Sequence, residues 1–318
     1  MTRFGDPEVL ETTEVPDPIA AAGEVVIDVA AADVLWVEAM IRRGHGGEYF
    51  RVTPPYVPGN GVAGVVRAVG DGVDPDWLDR RVAAHTGERG GYAEQTVVAA
   101  SELSAVPDGL DLRDAAALLH DGPTALALFE GLEIDRGDRV LVVGASGGLG
   151  IVAIQLARGR GARVVAVARD ERKLERIREL EPDALIDSED SDWVEQARAA
   201  LGGAGADAII DNIGGSVGEA AFAAIAPGGR FSAHGSPSGR FAAIDPAEAE
   251  RRGVTLRGIR DVHFSAAELK RLTEQALAEA AAGRIRPIIG QTFPLSEAAD
   301  AHAAIEDRRV FGKTLLLA

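Results

Sequence analysis

Residues 139–169 read RVLVVGASGGLGIVAIQLARGRGARVVAVAR, and this stretch decides the fold of the chain. The apolar run 140–143 has the length and β-branched content of a buried parallel strand, a helix pattern follows, and 164–167 is a second such strand. Three glycines separate the first strand from the helix at the spacing G-x-x-G-x-x-G: Gly144, Gly147 and Gly150. Glycine lets the backbone turn tightly and approach a pyrophosphate, which the helix N-terminus can bind. The stretch therefore predicts a dinucleotide-binding βαβ unit.

The alternation of strands and helices continues after this unit. Strand patterns lie at 184–187, 208–211, 230–234 and 254–258, and helix patterns lie at 172–180, 193–201 and 217–225. Such alternation is typical of a parallel sheet covered by helices on both faces. Six strands predict an α/β fold of the Rossmann type, a doubly wound parallel sheet that binds its ligand at the carboxyl ends of the strands.

The chain on either side of this region has a different pattern. Residues 1–112 are rich in short β patterns separated by Gly and Pro, which indicates a partly open barrel. The individual predictions are strands at 24–30, 61–69, 81–85, 91–98 and 313–317, and helices at 33–43, 110–119, 124–131, 266–282 and 295–307.

Composition excludes several kinds of function. The chain contains no cysteine, so it has neither disulfides nor thiolate metal ligands. Its formal net charge of −17 disfavours nucleic acid and anionic membranes as partners. No apolar run reaches the ~18 residues of a membrane span, and the charged N-terminus lacks the apolar core of a signal peptide. We therefore expect a cytoplasmic protein.

The predicted cofactor site combines residues from several strand ends. The glycine turn contributes Ser146, Gly147, Gly148 and Leu149, and the ends of the fourth and fifth strands contribute Asn212, Gly235 and Ser236. Each of these alone is an ordinary turn residue. Together they lie where a dinucleotide crosses the sheet.

The end of the second strand selects the cofactor. Arg169 and Asp170 stand there, and Arg172 and Lys173 follow a turn later. A guanidinium binds a 2′-phosphate bidentately and a carboxylate repels it, so Arg169 and Lys173 favour NADPH. Two alternatives stay open. Asp170 could accept from the ribose hydroxyls of NADH, or the cations could form an ordinary solvated helix start with Asp170 as its N-cap.

Several motifs resemble the zinc-independent quinone oxidoreductase branch of the medium-chain dehydrogenase/reductases. They run in order along nearly the whole chain, at 4–10 (FGDPEVL), 57–64 (VPGNGVAG), 90–94 (GGYAE), 137–150 (GDRVLVVGASGGLG) and 312–313 (GK). The resemblance implies a GroES-like catalytic domain of residues 1–112 completed by 260–318, a Rossmann domain of residues 113–259, and a homodimer.

The resemblance also bears on single positions. It implies that Thr124 and Lys313 lie near the cofactor. Family members often carry a strand ahead of the motif that begins here at Arg3, where only Met1 and Thr2 stand. We therefore expect that strand to be absent or cut short.

A catalytic zinc ion is not expected. Zinc-dependent relatives carry Gly-His-Glu where this chain reads Gly59-Asn60-Gly61, and the six histidines are scattered without ligand spacing. Without a Lewis acid to hold an alkoxide, reduction of an electron-poor conjugated carbon is easier than alcohol oxidation. NADPH supplies hydride to that carbon, and hydrogen-bond donors stabilise the developing oxyanion.

The proton donor must differ from that of the resembling family. Quinone oxidoreductases often carry Asn and Tyr where this chain has Leu35 and Met40. The candidates in their place are His120 with Asp121, just before Thr124, and then Tyr49, Tyr56 and His45. His120 and Asp121 are equally compatible with a helix cap. A quinone can also take its protons from water.

Three functions stay open at this point. The first is NADPH-dependent, metal-free reduction of a quinone or another electron-poor conjugated carbonyl compound. The second is an enoyl or alkenal reductase of a biosynthetic pathway. The third is an NADPH-binding protein with little turnover, which the missing Asn/Tyr pair favours and the intact cofactor site disfavours. The apolar run 254–258 at the predicted sheet edge further predicts a C2 homodimer.

Overall fold

The computed structural model describes residues 1–47, 50–87 and 90–318. By their internal contacts, these residues form two compact units. Unit 1 comprises Met1–His120, Ala266–Gly283 and Pro287–Ala318, and unit 2 comprises Asp121–Ser265 and Arg284–Arg286. The domain limits that the sequence suggests, 112/113 and 259/260, remain predictions. No helix of the described residues has the length and apolarity needed to cross a membrane.

Thirteen strands and ten α-helices make up the described part of the chain. The strands are β1 (Glu24–Val34), β2 (Gly61–Val69), β3 (Arg81–His85), β4 (Gln95–Ala99), β5 (Leu103–Ala105), β6 (Arg139–Val143), β7 (Arg163–Ala168), β8 (Ala184–Asp187), β9 (Ala206–Asp211), β10 (Ile225–Ala233), β11 (Thr255–Gly258), β12 (Ile289–Pro294) and β13 (Lys313–Leu317). The helices are α1 (Trp36–Arg42), α2 (Leu112–Leu118), α3 (Asp121–Gly131), α4 (Gly148–Gly159), α5 (Glu171–Arg178), α6 (Trp193–Ala200), α7 (Gly215–Phe222), α8 (Pro246–Arg251), α9 (Ala266–Ala281) and α10 (Ala298–Glu306).

Unit 1 is built on one sheet with the strand order β12-β13-β1-β2-β3-β5, in which β4 also pairs with β1. All of these pairs are antiparallel except β12 with β13. Val25, Ile27, Val62 and Leu316 project from four places in this sheet into one buried apolar cluster. The prediction that residues 1–112 are rich in short strands is confirmed.

Unit 2 is built on a sheet with the order β11-β10-β9-β6-β7-β8, in which every pair is parallel. This is the doubly wound order of a Rossmann fold, as the alternation of strands and helices predicted. In the centre, Val140 of β6 pairs with Val164 of β7 and with Ala208 of β9. All three are fully buried, because both faces of a parallel sheet are covered. The strand order reverses between β6 and β9, and their carboxyl ends mark the ligand site of such folds.

Several predicted helices have different limits in the structure, and two of these differences have a clear tertiary reason. The helix predicted at 33–43 begins only at Trp36, because Asp33 still pairs with Leu315 in β13. The helix predicted at 217–225 ends at Phe222, because Ile225 already pairs with β9 as the first residue of β10. β12 was not predicted at all. Its residues alternate between half-buried and exposed, and its pairing comes from the distant strand β13.

Candidate active site

The turn between β6 and α4 is shaped by its glycines. Gly144 has φ +73°, which only glycine adopts without strain, and a β-carbon there would lie 2.8 Å from Cδ1 of Ile213. A β-carbon on Gly150 would lie 2.6 Å from the carbonyl oxygen of Gly144. The packing of the protein itself therefore requires both glycines.

Gly147 differs from these two. It is exposed, and a β-carbon on it would meet only the carbonyl oxygen of Gly144, at an ordinary 3.6 Å. Gly147 is also the N-cap of α4, and it offers no side-chain cap to that helix. The first N–H groups of α4, those of Gly148 and Leu149, have no intrahelical partner. The turn thus places the exposed Gly147 before the uncapped end of α4, with half-buried Ser146 beside it. This arrangement fits the pyrophosphate of a dinucleotide.

The end of β7 carries an exposed cation. Arg169 follows β7 directly and is exposed. Within the described part of the chain it makes no ion pair. Asp170 has φ +62° and accepts the N–H of Lys173 through Oδ1 at 3.1 Å, so it is the N-cap of α5, as one alternative predicted. The guanidinium of Arg169 is therefore free to meet a ribose phosphate, while the carboxylate of Asp170 is engaged by its own helix.

Asn212, just after β9, uses both ends of its amide inside the protein. Its Nδ2 donates to the carbonyl oxygen of Val143 at 2.9 Å, and Nε2 of His234 lies 2.9 Å from its Oδ1. Because that oxygen only accepts, His234 carries its proton on Nε2, and its Nδ1 accepts the hydroxyl of Ser232 at 3.0 Å. Burial lowers the pKa of His234 to about 4, so the ring is neutral near pH 7. This network fastens β9 to β6 and β10, and the predicted contact of Asn212 with a cofactor stays a prediction.

Gly235 and Ser236 follow the carboxyl end of β10. The chain there touches the end of β9, since a β-carbon on Gly235 would lie 2.1 Å from the carbonyl carbon of Asn212. Ser236 is half-buried. Thr124 stands in the first turns of α3 in the same unit. The structure thus brings the glycine turn, Asn212 and Gly235 together at the carboxyl edge of one sheet, and their contact with a cofactor stays a prediction.

Unit 1 contains a buried ion cluster around Asp33. Its carboxylate in β1 is completely buried, with Nζ of Lys313 2.8 Å from Oδ1 and Nδ1 of His120 3.0 Å from Oδ2. Burial alone would raise the pKa of Asp33, but Lys313 and His120 outweigh it and hold the pKa below its ordinary value. Asp33 is therefore an anion, and Lys313, a predicted cofactor contact, has its ammonium on Asp33 in this structure.

His120 packs against His85 and Gly61. The two imidazole rings meet edge to face with their centroids 4.8 Å apart. Burial, and then the charge of His120, lowers the pKa of His85 to about 3. A β-carbon on Gly61 would lie 2.8 Å from Cε1 of His120. The side chains of Leu119 and His120 thus fill the space that a side chain at position 61 would need, in the segment that the resemblance aligns with zinc ligands.

A second buried polar group in unit 1 was missed by the sequence analysis. Oε2 of Glu38 accepts the N–H of Leu35 at 2.8 Å and the hydroxyl of Tyr92 at 2.7 Å. Nε2 of His302 lies 3.0 Å from the same hydroxyl. Burial raises the pKa of Glu38 to about 7 and lowers the pKa of His302 to about 3. A glutamate three residues after the helix N-cap Leu35 is the one sequence signal that could have found this group.

The remaining predicted proton donors differ in element and in exposure. Asp121 is the first residue of α3 and belongs to unit 2, whereas His120 ends the first segment of unit 1. Tyr56 is buried and His45 is exposed. Tyr49 lies outside the described residues. Over residues 1–47, 50–87 and 90–318, no three acidic or histidine side chains are grouped so that they could hold a metal ion.

Two family profiles match the chain. The alcohol dehydrogenase GroES-like domain matches residues 21–108, and the zinc-binding dehydrogenase family matches residues 148–277. Among characterised proteins, the quinone oxidoreductase of Sus scrofa is 31% identical over 318 residues, which cover 99% of this chain and 95% of that protein. This chain belongs to the quinone oxidoreductase branch of the medium-chain dehydrogenase/reductases. The predicted combination of a Rossmann sheet with a GroES-like domain is therefore confirmed.

Other members of this superfamily differ in what they reduce or oxidise. The 2-haloacrylate reductase of a Burkholderia species is 29% identical over 325 residues, covering 99% of this chain and 97% of that protein. A mycobacterial protein solved in complex with NADPH has a TM-score of 0.90 at 29% identity, and a solved NAD-dependent alcohol dehydrogenase has a TM-score of 0.90 at 31% identity. Each of these two comparisons covers 100% of this chain and 98% of the other. Membership of the superfamily thus leaves cofactor and substrate to be argued from the site.

Proposed function

We propose that this protein is an NADPH-dependent, metal-free reductase that transfers hydride to a quinone or another electron-poor conjugated carbonyl compound. The observation that carries the proposal is the β6–α4 turn, where the open Gly147 and the uncapped end of α4 fit a pyrophosphate. The turn stands in a chain related over its whole length to quinone oxidoreductases.

The choice of NADPH rests on the end of β7. Arg169 is exposed and makes no ion pair with the described residues, while Asp170 caps α5. A 2′-phosphate would therefore meet a guanidinium rather than a competing carboxylate. The NADPH complex of the mycobacterial relative supports this choice. The NAD-dependent relative of similar identity makes NADH the alternative for the experiment to exclude.

Different residues of this chain bind the parts of the cofactor and donate the proton. The N–H groups of the turn, with Ser146, hold the pyrophosphate, and Arg169 with Lys173 holds the 2′-phosphate. Further cofactor contacts are assigned to Thr124, Asn212, Gly235, Ser236 and Lys313. Bound NADPH supplies the hydride. His120 is the first candidate to protonate the oxyanion, with Asp121 and Tyr49 as the others.

Independence from zinc rests on the donor set. The chain has no cysteine, and Asn60 and Gly61 stand where the resemblance places a histidine and a glutamate. The imidazole of His120 fills the space beside Gly61. A hydrogen-bond donor at that place can stabilise an oxyanion without a Lewis acid.

A second candidate function is the reduction of an activated carbon–carbon double bond. The 2-haloacrylate reductase relative favours it, as do Leu35 and Met40 at the positions where quinone oxidoreductases often carry Asn and Tyr. An enolate formed by hydride addition must be protonated, and His120, which contacts Asp33 in unit 1, is our candidate donor.

Steady-state oxidation of NADPH and of NADH tests both candidates. The acceptors are quinones, enones, enoyl thioesters and a haloacrylate, each with and without EDTA. We expect turnover with NADPH that EDTA leaves unchanged. Stoichiometric zinc whose removal stops turnover would contradict the metal-free mechanism. Tight NADPH binding without oxidation by any acceptor would favour a binding protein instead.

A further inference from the structure

Asp33 is a buried carboxylate that neither the motifs nor the resemblance assigns to any task. It has 0% exposure and sits near the end of β1, two residues before Leu35. Burying a carboxylate is costly unless it is paired and hydrogen-bonded. Asp33 meets that condition through Lys313, 280 residues away in the chain, and through His120. An apolar residue would fill the same place without this arrangement, so the carboxylate calls for a functional explanation.

We propose that Asp33 is a positioning residue that fixes the tautomer and orientation of His120, so that Nε2 of His120 acts as the proton donor of the reductase. This inference rests on the proposed function, and it adds the residue that orients His120 for proton transfer. Lys313 takes part by keeping Asp33 ionised.

The hydrogen bonds determine which nitrogen faces outward. An ionised carboxylate only accepts, so the contact of 3.0 Å between Nδ1 of His120 and Oδ2 of Asp33 requires a proton on Nδ1. No group of the described residues bonds Nε2, and the side chain of His120 keeps 20% of its surface exposed. The neutral ring can then take up a proton at Nε2, and the imidazolium can give it to a substrate oxygen.

The other charged groups around His120 leave this arrangement intact. Lys313 on β13 contacts the same carboxylate oxygen as His120, at 3.1 Å. His85 on β3 is neutral above about pH 3, so it does not compete as a donor. Glu38 on α1 also acts electrostatically on His120, and its own pKa of about 7 means that it adds negative charge only above neutral pH.

The proton step balances as follows. Hydride addition to the acceptor carbon leaves an electron pair on the conjugated oxygen. The Nε2–H bond of His120 breaks and an O–H bond forms, so the imidazolium becomes a neutral ring with its proton on Nδ1. Asp33 stays ionised throughout. Solvent water then returns a proton to Nε2.

Turnover of an enone acceptor by variants of the full chain tests the proposal. His120→Gln should lower kcat by about 10²–10⁴-fold, because the proton donor is lost. Asp33→Asn should lower kcat with little change in KM, because the ring is no longer held with its proton on Nδ1. Asp28→Asn, an exposed carboxylate on the same strand, is the matched control and should change neither quantity.

Two further measurements separate positioning from folding. NADPH affinity by fluorescence titration should be unchanged in Asp33→Asn. Asp33→Glu, which keeps a carboxylate at this position, is the second variant if Asp33→Asn fails to fold, and it should retain more of the wild-type kcat than His120→Gln does. ¹⁵N NMR of the wild type, with the His120 signals identified by their loss in His120→Gln, should show the Nδ1–H tautomer. An Nε2–H tautomer, or a wild-type kcat in a folded variant without the Asp33 carboxylate, would overturn the proposal while leaving the reductase function standing. A wild type that oxidises no NADPH would overturn both.

Discussion

The hydroxyl of Tyr92 donates to Oε2 of Glu38 at 2.7 Å, while the other carboxyl oxygen of Glu38 is buried and has no hydrogen-bond partner within the described residues. Glu38 keeps only 5% of its surface exposed. Burial raises its pKa to about 7, and the hydrogen bonds from Leu35 and Tyr92 oppose this rise only in part. The native protein therefore holds a proton on Glu38 at pH values where the unfolded chain does not.

Glu38→Gln should stabilise the protein increasingly as the pH rises. Between the ordinary pKa of 4.5 and the native value of about 7, only the native state keeps the proton. The raised pKa of Glu38 thus contributes to the free energy of unfolding below pH 4.5. As the pH rises to about 7, this contribution is lost, and it amounts to about 3 kcal/mol in total. The glutamine does not titrate, so the difference in unfolding midpoint should move in favour of the variant between pH 5 and pH 8.

Thermal or urea unfolding at the two pH values measures this difference. The buried histidines do not affect the comparison, because the wild type and the Glu38→Gln variant both carry them. Glu274→Gln, an exposed glutamate of α9, is the control and should behave like the wild type at both pH values. A stability difference for Glu38→Gln that does not vary with pH would contradict the raised pKa.

The two glycines at the start of α4 should respond differently to the same substitution. A β-carbon at Gly147 meets only a carbonyl oxygen at 3.6 Å, so Gly147→Val should keep the fold and lose NADPH binding. A β-carbon at Gly150 would lie 2.6 Å from the carbonyl oxygen of Gly144, so Gly150→Val should cost about 1–3 kcal/mol or more of stability. Melting curves and NADPH fluorescence titration distinguish the two effects. Wild-type affinity in Gly147→Val would show that the turn does not hold the cofactor.

The protein should form a C2 homodimer through β11. This strand stands at the edge of the unit 2 sheet, as the sequence predicted, and pairs with β10 on one side. Its other side offers backbone N–H and C=O groups to a second copy. Light scattering at micromolar concentration should give twice the chain mass of 33.1 kDa. The mass of a single chain under those conditions would exclude this assembly.

The Rossmann half could be predicted because its signals are local. The apolar run of β6, the glycines and the helix pattern of α4 stand within 31 consecutive residues, and the alternation that follows implies the strand order. The spacing alone does not distinguish Gly147 from Gly150, however. Gly147 leaves room for a cofactor and Gly150 is needed for packing. This difference depends on how closely the turn packs on itself, which only the folded backbone shows.

The buried clusters of unit 1 could not be predicted, because they join distant parts of the chain. Asp33 and Lys313 are 280 residues apart, and Tyr92 and His302 are 210 residues apart. Asp33 lies in a stretch that local propensity assigned to a helix, and its pairing in β1 is what turns it toward Lys313. His120 was found as a candidate from its place before Thr124, but the carboxylate that orients it came only with the fold.

The most direct test of the cofactor assignment is Arg169→Ala. The side chain is exposed just past β7 and makes no ion pair with the described residues, so its removal breaks no ion pair of the described fold. A charge-assisted bond to a 2′-phosphate is worth roughly 1.5–3 kcal/mol, so NADPH should bind about 10–150-fold more weakly, with the low end expected if Arg172 or Lys173 shares the phosphate. NADH lacks that phosphate, and its binding should be nearly unaffected. The ratio of kcat/KM with NADPH to kcat/KM with NADH should therefore collapse, and high salt should reduce the preference of the wild type for NADPH.

Arg163→Ala, at the opposite end of the same strand, is the matched control and should leave this ratio unchanged. Equal losses for both cofactors would make Arg169 structural, and a wild type that prefers NADH would assign the ribose to Asp170.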